Sequence, residues 1–294
     1  MPLGKWEARA WIWLNQLSAS LPQPSLQPIL TFRPESIAYP SEAIAAICSP
    51  SRVLSNLFWQ NLDAQRIRAA LGPLRLLDVG CGKGGYMRLL EESIGPVETY
   101  RGIDIAKRPS WAEIAASDPR CSFVETSATT LGPELLDDVN FVFSQSALEH
   151  FKDDLSLVRS IAGSLRRRPR PMIQVHLVPP PLSWRLYGPH GYRGYGQREI
   201  ARLLAAFDGA RSALFLLGGP HANDCHYRWI ADYAADGLHD RRETDLDRYA
   251  EDVRASLARD LETPPKSLAD AAFVAIVVCS GIDVAPEQMV GRAS

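Results

Sequence analysis

Between Leu74 and Val178 short apolar runs alternate with helical ones, and this alternation narrows most sharply what the chain can fold into. "LRLLDV" (Leu74 to Val79), "ETYRGIDI" (Glu98 to Ile105), "CSFVE" (Cys121 to Glu125), "VNFVFS" (Val139 to Ser144) and "MIQVHLV" (Met172 to Val178) are short and largely apolar on both faces. Between them "YMRLLEESI", "PSWAEIAAS" and "DDLSLVRSIAGSLRRR" have helical character, while "LGPELLDD" carries a weaker signal. Strands buried on both faces and joined by helices make a parallel sheet with helical cover. Beyond Ile200 the sequence predicts a helix, a strand at "SALFLLGG", a long polar helical stretch and a last strand at "DAAFVAIVVCS".

Upstream, the spacing predicts a helix from about Ser51 to Leu71, stopped by Gly72-Pro73. "LPQPSLQP" (Leu21 to Pro28) reads as an extended connection. Near the N-terminus Trp6, Ala10, Trp13, Leu14 and Leu17 share one apolar helical face. That face is expected to pack on the body of the protein; the other reading is a membrane-surface or partner contact. Lys5, Glu7 and Arg9 break up the segment, which makes it a poor signal peptide. The expected organisation is an N-terminal helical cap over residues 1–73 and one α/β domain over 74–294, with a helical insertion at about 220–268.

A net charge of −2 gives no general attraction for polyanions, so nucleic acid is not an expected partner. The one dense basic run, "LRRRPR" (Leu165 to Arg170), falls at a helix end, where cations offset the dipole. Five cysteines stand singly, without C-x-x-C spacing, so neither a metal site nor a disulfide framework is expected. Reduced thiols and a cytoplasmic location follow as the expectation. No apolar run reaches the roughly 20 residues a membrane span needs.

"LLDVGCGKGGY" (Leu76 to Tyr86) fits two cofactor patterns at once. Gly80, Gly82 and Gly85 match the G-x-G-x-x-G turn of dinucleotide binders. With Asp78 in front, Gly80, Gly82 and Gly84 also match D-x-G-x-G-x-G. In an open parallel sheet this loop sits where ligands bind, beyond the carboxyl ends of the strands. A pyrophosphate there would meet the Asp78 carboxylate, whereas S-adenosylmethionine (SAM) brings an ammonium and a sulfonium and no phosphate. Asp104 ends the second strand, the position from which an acid receives ribose hydroxyls of either cofactor.

Together "LLDVGCGKGGY", "YRGIDIA" and "VNFVFSQSALEHF" resemble the class I SAM-dependent methyltransferases, of the type 11 kind, over roughly Leu74 to Val178. The resemblance implies a Rossmann-like, seven-stranded, mostly parallel sheet flanked by helices, with its last strand antiparallel. It implies that Asp78, Gly80, Cys81, Gly82 and Gly84 lie on the methionyl side, that Asp104 holds the ribose and that Ile105 packs on the adenine. Ser127, with Ala128 beside it, stands where the family often has an acid for the adenine amine, and Ser144 closes the fourth strand near the cofactor. Asn140 stands where the family often has Asp, a position that orients secondary structure.

For the acceptor, His150 is the candidate general base, directly after the fourth strand; its other reading is to shape the pocket. Glu149 is expected to point elsewhere. His190 and His221, with His226, are the remaining candidates. The N-P-P-Y signature of amino-group methylation is absent, and "WRLYGPHGYRGYGQREI" (Trp184 to Ile200) has the aromatics and arginines of an acceptor loop. A looser resemblance to bacterial methyltransferases of surface polysaccharides and lipid-linked sugars points to a sugar hydroxyl. The expected activity is methyl transfer to an oxygen of a small-molecule or glycan acceptor. N-methylation of a small molecule and a SAM-binding regulatory relative without turnover are the alternatives.

Overall fold

Each of the five apolar runs becomes a strand, and the helical runs become the helices between them. The computed structural model describes residues 5–21, 28–35, 37, 48–181, 183–188, 190–231 and 240–291. In chain order its elements begin with α1 (Lys5–Ser20), β1 (Ile29–Thr31), α2 (Pro50–Gln60), α3 (Ala64–Leu71), β2 (Leu74–Val79), α4 (Tyr86–Ile94) and β3 (Val97–Asp104). They continue with α5 (Ser110–Ser117), β4 (Cys121–Glu125), β5 (Phe141–Gln145), α6 (Asp154–Arg167), β6 (Met172–Val178), α7 (Trp184–Tyr187) and α8 (Gln197–Leu204). The last are β7 (Arg211–Leu217), α9 (Pro220–His226), α10 (Arg241–Thr244), α11 (Leu246–Glu262) and β8 (Phe273–Ser280). The weak "LGPELLDD" stretch contributes a single 3-10 turn, Pro133–Leu135.

The strands form one sheet in the order β1-β7-β8-β6-β5-β2-β3-β4. Strand β8 runs antiparallel to β6 and β7, as expected of the last strand, and the other pairs are parallel. Seven strands were expected and eight are found. The extra one, β1, pairs parallel with β7, Ile29 opposite Leu214 and Leu30 opposite Phe215. Three residues are too few to show a period, so no local pattern marks it. Residues 22–27 of the expected connection lie outside the described residues.

Strand alternation divides the core between the two faces of the sheet. Leu74, Leu76, Phe141, Phe143, Ile173 and Val175 point to the side covered by α2, α3, α4 and α11. Leu77, Val79, Val142, Met172 and Val178 point to the side of α6 and α8. The helix expected over Ser51 to Leu71 is broken at Asn61–Asp63, where Asp63 caps α3 by accepting the Arg66 amide at 2.9 Å. Residues 29–32 and 50–71 of the expected cap therefore contribute to the sheet and its core. The run at 165–170 is structural: Arg170 donates to the carbonyls of Val139 (2.8 Å) and Leu136 (2.6 Å).

The N-terminal helix reverses its expected orientation. Trp6, Trp13, Leu14 and Leu17 are 79 %, 60 %, 56 % and 41 % exposed, and Ala10 is exposed too. The opposite face meets the protein. Trp11 donates its indole N–H to the Tyr192 carbonyl (2.9 Å), Asn15 accepts the Gly194 amide (3.1 Å), and Ser18 donates to Glu199 (2.6 Å). Helical periodicity locates a face without saying where it turns, and here polar contacts decided. Among the described residues no helix is long and apolar enough to cross a membrane.

Candidate active site

Strand β2 hands the chain to the glycine loop at the point where sheet order reverses between β5 and β3. Gly80, Gly82 and Gly84 all have positive φ. The Gly80 and Cys81 amides donate to the Ile103 carbonyl at 2.8 and 3.0 Å, which folds the loop onto the end of β3. A methyl group on Gly80 would come within 2.5 Å of the Ala147 Cβ, so side-chain-free backbone is needed where this loop meets the one after β5. Gly84 is required for a different reason: a methyl there would lie 2.5 Å from the Phe123 ring. That ring stacks on Trp111, whose indole N–H donates to the Gly82 carbonyl at 2.8 Å. Helix α5 thus clamps the loop from outside.

The Asp104 carboxylate accepts the Gly82 amide (2.9 Å) and the Ala106 amide (3.1 Å), one on each oxygen. It borders a cleft of about 390 Å³ that is also lined by Gly80, Ile105, Arg108, Ser127, Ala128 and His150. Ile105 is largely exposed there. Ser127 caps the following 3-10 turn through the Thr129 amide. Asp78 lies deeper than expected. Its carboxylate is buried, accepts the Tyr100 hydroxyl at 2.5 Å and is not among the residues lining the cleft beside Asp104. Burial, opposed by that hydrogen bond and reinforced by Asp104, pushes its pKa up to about 7. Cys81 is buried as well, and burial together with the two nearby carboxylates raises its thiol well above the usual range. Asn140 orients secondary structure as expected, accepting the Arg75 amide and donating to the carbonyls of Leu71 and Pro73.

A second cavity, of about 200 Å³, adjoins the first, and Ser146 borders both. Ser146 carries a φ of 52°, the one non-glycine residue with positive φ among those described. The cavity is lined by Ser51, Arg52, Gln145, Glu149, Tyr187 and His190, among others. His150, on the cleft side, and His190, on the cavity side, meet ring to ring at 4.6 Å. Partial burial lowers the pKa of both imidazoles, that of His150 also through its neighbour His190. Tyr187 shares a hydrogen bond with Ser51 (2.6 Å) and lies edge-on to the buried His226 ring at 4.6 Å. The Arg52 guanidinium donates to the Tyr86 hydroxyl and lies over its ring.

Three expectations are corrected. Ser144 borders neither cavity: it is buried and bonds His176 Nδ1 at 2.9 Å, because alternation along β5 places it on the sheet face opposite Gln145. His221 also stays outside; it sits in the first turn of α9, where Asp260 accepts the amides of Gly219, His221 and Ala222. Glu149 does not point elsewhere. It is fully buried against the second cavity, accepts the Ser146 hydroxyl at 2.6 Å, and burial raises its pKa to about 7. Sequence reasoning missed Arg52 entirely, since it stands inside an ordinary amphipathic helix.

Residues 77–169 match the family described as a methyltransferase domain. No curated protein sequence matches the chain. Among solved structures, the plantazolicin methyltransferase BamL, in complex with a triazolic desmethylPZN analogue and S-adenosylhomocysteine, is 14 % identical. It aligns over 94 % of this chain and 97 % of its own with a TM-score of 0.51, a likeness of fold. The [4+2]-cyclase SpnF is 15 % identical over 92 % of this chain and 93 % of its own, with a TM-score of 0.48. The 1,6-didemethyltoxoflavin-N1-methyltransferase of Burkholderia thailandensis is 17 % identical over 85 % and 94 %, with a TM-score of 0.40. Over residues 77–169 the chain is thus similar to a methyltransferase domain.

Proposed function

We propose that this chain transfers a methyl group from SAM to a hydroxyl oxygen of a small polar or glycan acceptor. The observation that carries the reading is the second cavity, where a buried carboxyl and two imidazoles stand beside the cofactor cleft, with Ser146 bordering both spaces. A hydroxyl acceptor needs a group to take its proton as the new bond forms, and this cluster offers three.

The cleft suits the cofactor. A carboxylate has about four lone-pair sites, and the two amide bonds to Asp104 leave others for a vicinal diol. Ser127 and Ala128 then border the adenine, Ile105 covers it, and Gly80 allows close approach of the backbone. Asp78 and Cys81 act from beneath the loop, Asp78 through Tyr100. SAM bound there supplies an electrophilic methyl; the S–C bond breaks as the C–O bond forms, leaving S-adenosylhomocysteine and one proton. The Glu149–His150–His190 cluster takes that proton. Tyr187, Ser51 and Arg52 are placed to orient a polyhydroxylated acceptor.

The exposed Trp6, Trp13, Leu14 and Leu17 face of α1, tethered to the 192–199 segment, supports peripheral membrane contact for a lipid-linked acceptor. Incubating the protein with methyl-labelled SAM and a cell extract tests the function. The expected product is a methyl ether. A labelled amine would move the reading to N-methylation, and no labelled product despite SAM binding would favour a regulatory relative.

A further inference from the structure

The cavity holds a group that acceptor binding alone leaves unexplained. Glu149 Oε1 accepts the Ser146 hydroxyl, but Oε2 is buried without any hydrogen-bond partner. A carboxylate oxygen left so costs its full desolvation penalty unless something else meets it. Glu149 is fully buried, while His150 and His190 are exposed at the same spot. One ligating atom from each of the three residues lies within 4.8 Å of the other two.

We infer that Glu149, His150 and His190 form a binding site for a single divalent transition-metal ion at the junction of the two cavities. Two imidazoles and one carboxylate on one side of an ion, with its other positions open, is a donor set that suits Zn²⁺, Mn²⁺ or Fe²⁺. Metal–ligand bonds of about 2.0–2.2 Å put two ligand atoms of one ion roughly 3–4.4 Å apart. The three groups therefore need only a small contraction, and the two exposed imidazoles are free to turn. The carboxylate is the fixed member, held by Ser146 and by the packing around it. Its neighbourhood is also pinned from the backbone: the Glu149 carbonyl accepts the Tyr192 amide at 2.5 Å, which draws the His190 loop against the 148–150 turn.

The assignment explains why the acceptor loop crosses this turn, and it deepens the proposed function without depending on the identity of the acceptor. An ion here would coordinate the acceptor oxygen through an open position and acidify its hydroxyl. With the ion in place the three groups would act on the hydroxyl through the metal instead of accepting its proton themselves, and the proton would leave to solvent as the oxygen takes the methyl carbon, with no change in the oxidation state of the metal.

Titration of the metal-stripped protein with Co²⁺ and Zn²⁺, without SAM or acceptor, tests the site directly. The expected result is one ion per chain, with Co²⁺ absorption bands typical of mixed nitrogen and oxygen ligands. Glu149→Gln, His150→Ala and His190→Ala should each weaken binding at least tenfold, while His221→Ala, outside the cavity, should not. Circular dichroism melts show that each variant is folded; His190→Ala, at an exposed position, is the informative one should Glu149→Gln unfold. No stoichiometric binding by the parent, or binding unaffected by all three substitutions, overturns the inference. Because the readout is binding alone, methyl transfer in a protein that takes up no metal would refute the site and leave the methyltransferase reading standing.

Discussion

At Asp78 the side chain sits beneath the glycine loop with the Tyr100 hydroxyl as its donor, and burial raises its pKa to about 7. In an unfolded chain the same group titrates near 3.9. A folded value above the unfolded one stabilises the native state below about pH 4, and that contribution is lost as pH rises through 7. Stability of the parent relative to Asp78→Asn should thus decline between pH 4.5 and 7.5 in cofactor-free protein, read from denaturant melts at three pH values. A flat difference would place the carboxyl in contact with solvent. His190 belongs to the acceptor cavity alone, so His190→Ala should bind SAM as the parent does while turnover falls by about 10²-fold or more, the usual share of a proton-accepting group. Of these residues the sequence pointed to His150 and His190 by position, but not to Glu149. Neighbours in sequence point apart in a strand or helix; the 3-10 turn at 148–150 brings Glu149 and His150 to the same junction.

Strands β2, β4 and β6 begin and end where their apolar runs do; β2 and β6 are buried along nearly their whole length, and β4, at the sheet edge, is partly covered. Elements set by individual polar contacts were less legible. The α2–α3 break depends on one capping aspartate, and α1 docks through Trp11, Asn15 and Ser18 against its own apolar periodicity. Helix α5 looked like plain cover in the sequence, yet it carries the Trp111 bond to the Gly82 carbonyl. Trp111→Phe keeps the stack on Phe123 and removes that bond. It should cost about 0.5–1.5 kcal/mol in a denaturant melt and weaken SAM binding by a similar amount. Unchanged SAM affinity with the melt shifted would mean that the clamp supports α5 but does not set the loop.

Across the whole molecule, one topological fact organises the site: chain order reverses between β5 and β3 around β2, the larger cleft opens at that reversal, and the second cavity adjoins it at Ser146. The cofactor half was legible because its residues follow the strands in sequence. The second cavity is assembled from α2, the turn after β5 and the loop around α7, segments spread between residues 49 and 190 that no local pattern links. Asp104 is the residue on which the proposed cofactor site depends most, since its carboxylate ties the glycine loop, through the Gly82 amide, to the cleft. Calorimetric titration of the parent and of Asp104→Ala with SAM, S-adenosylhomocysteine and NAD tests that claim most directly. The parent should bind SAM and S-adenosylhomocysteine but not NAD, and Asp104→Ala should lose about 1–3 kcal/mol of SAM affinity, roughly five- to 150-fold. Preferential NAD binding, or equal SAM affinity in the two proteins, would contradict it.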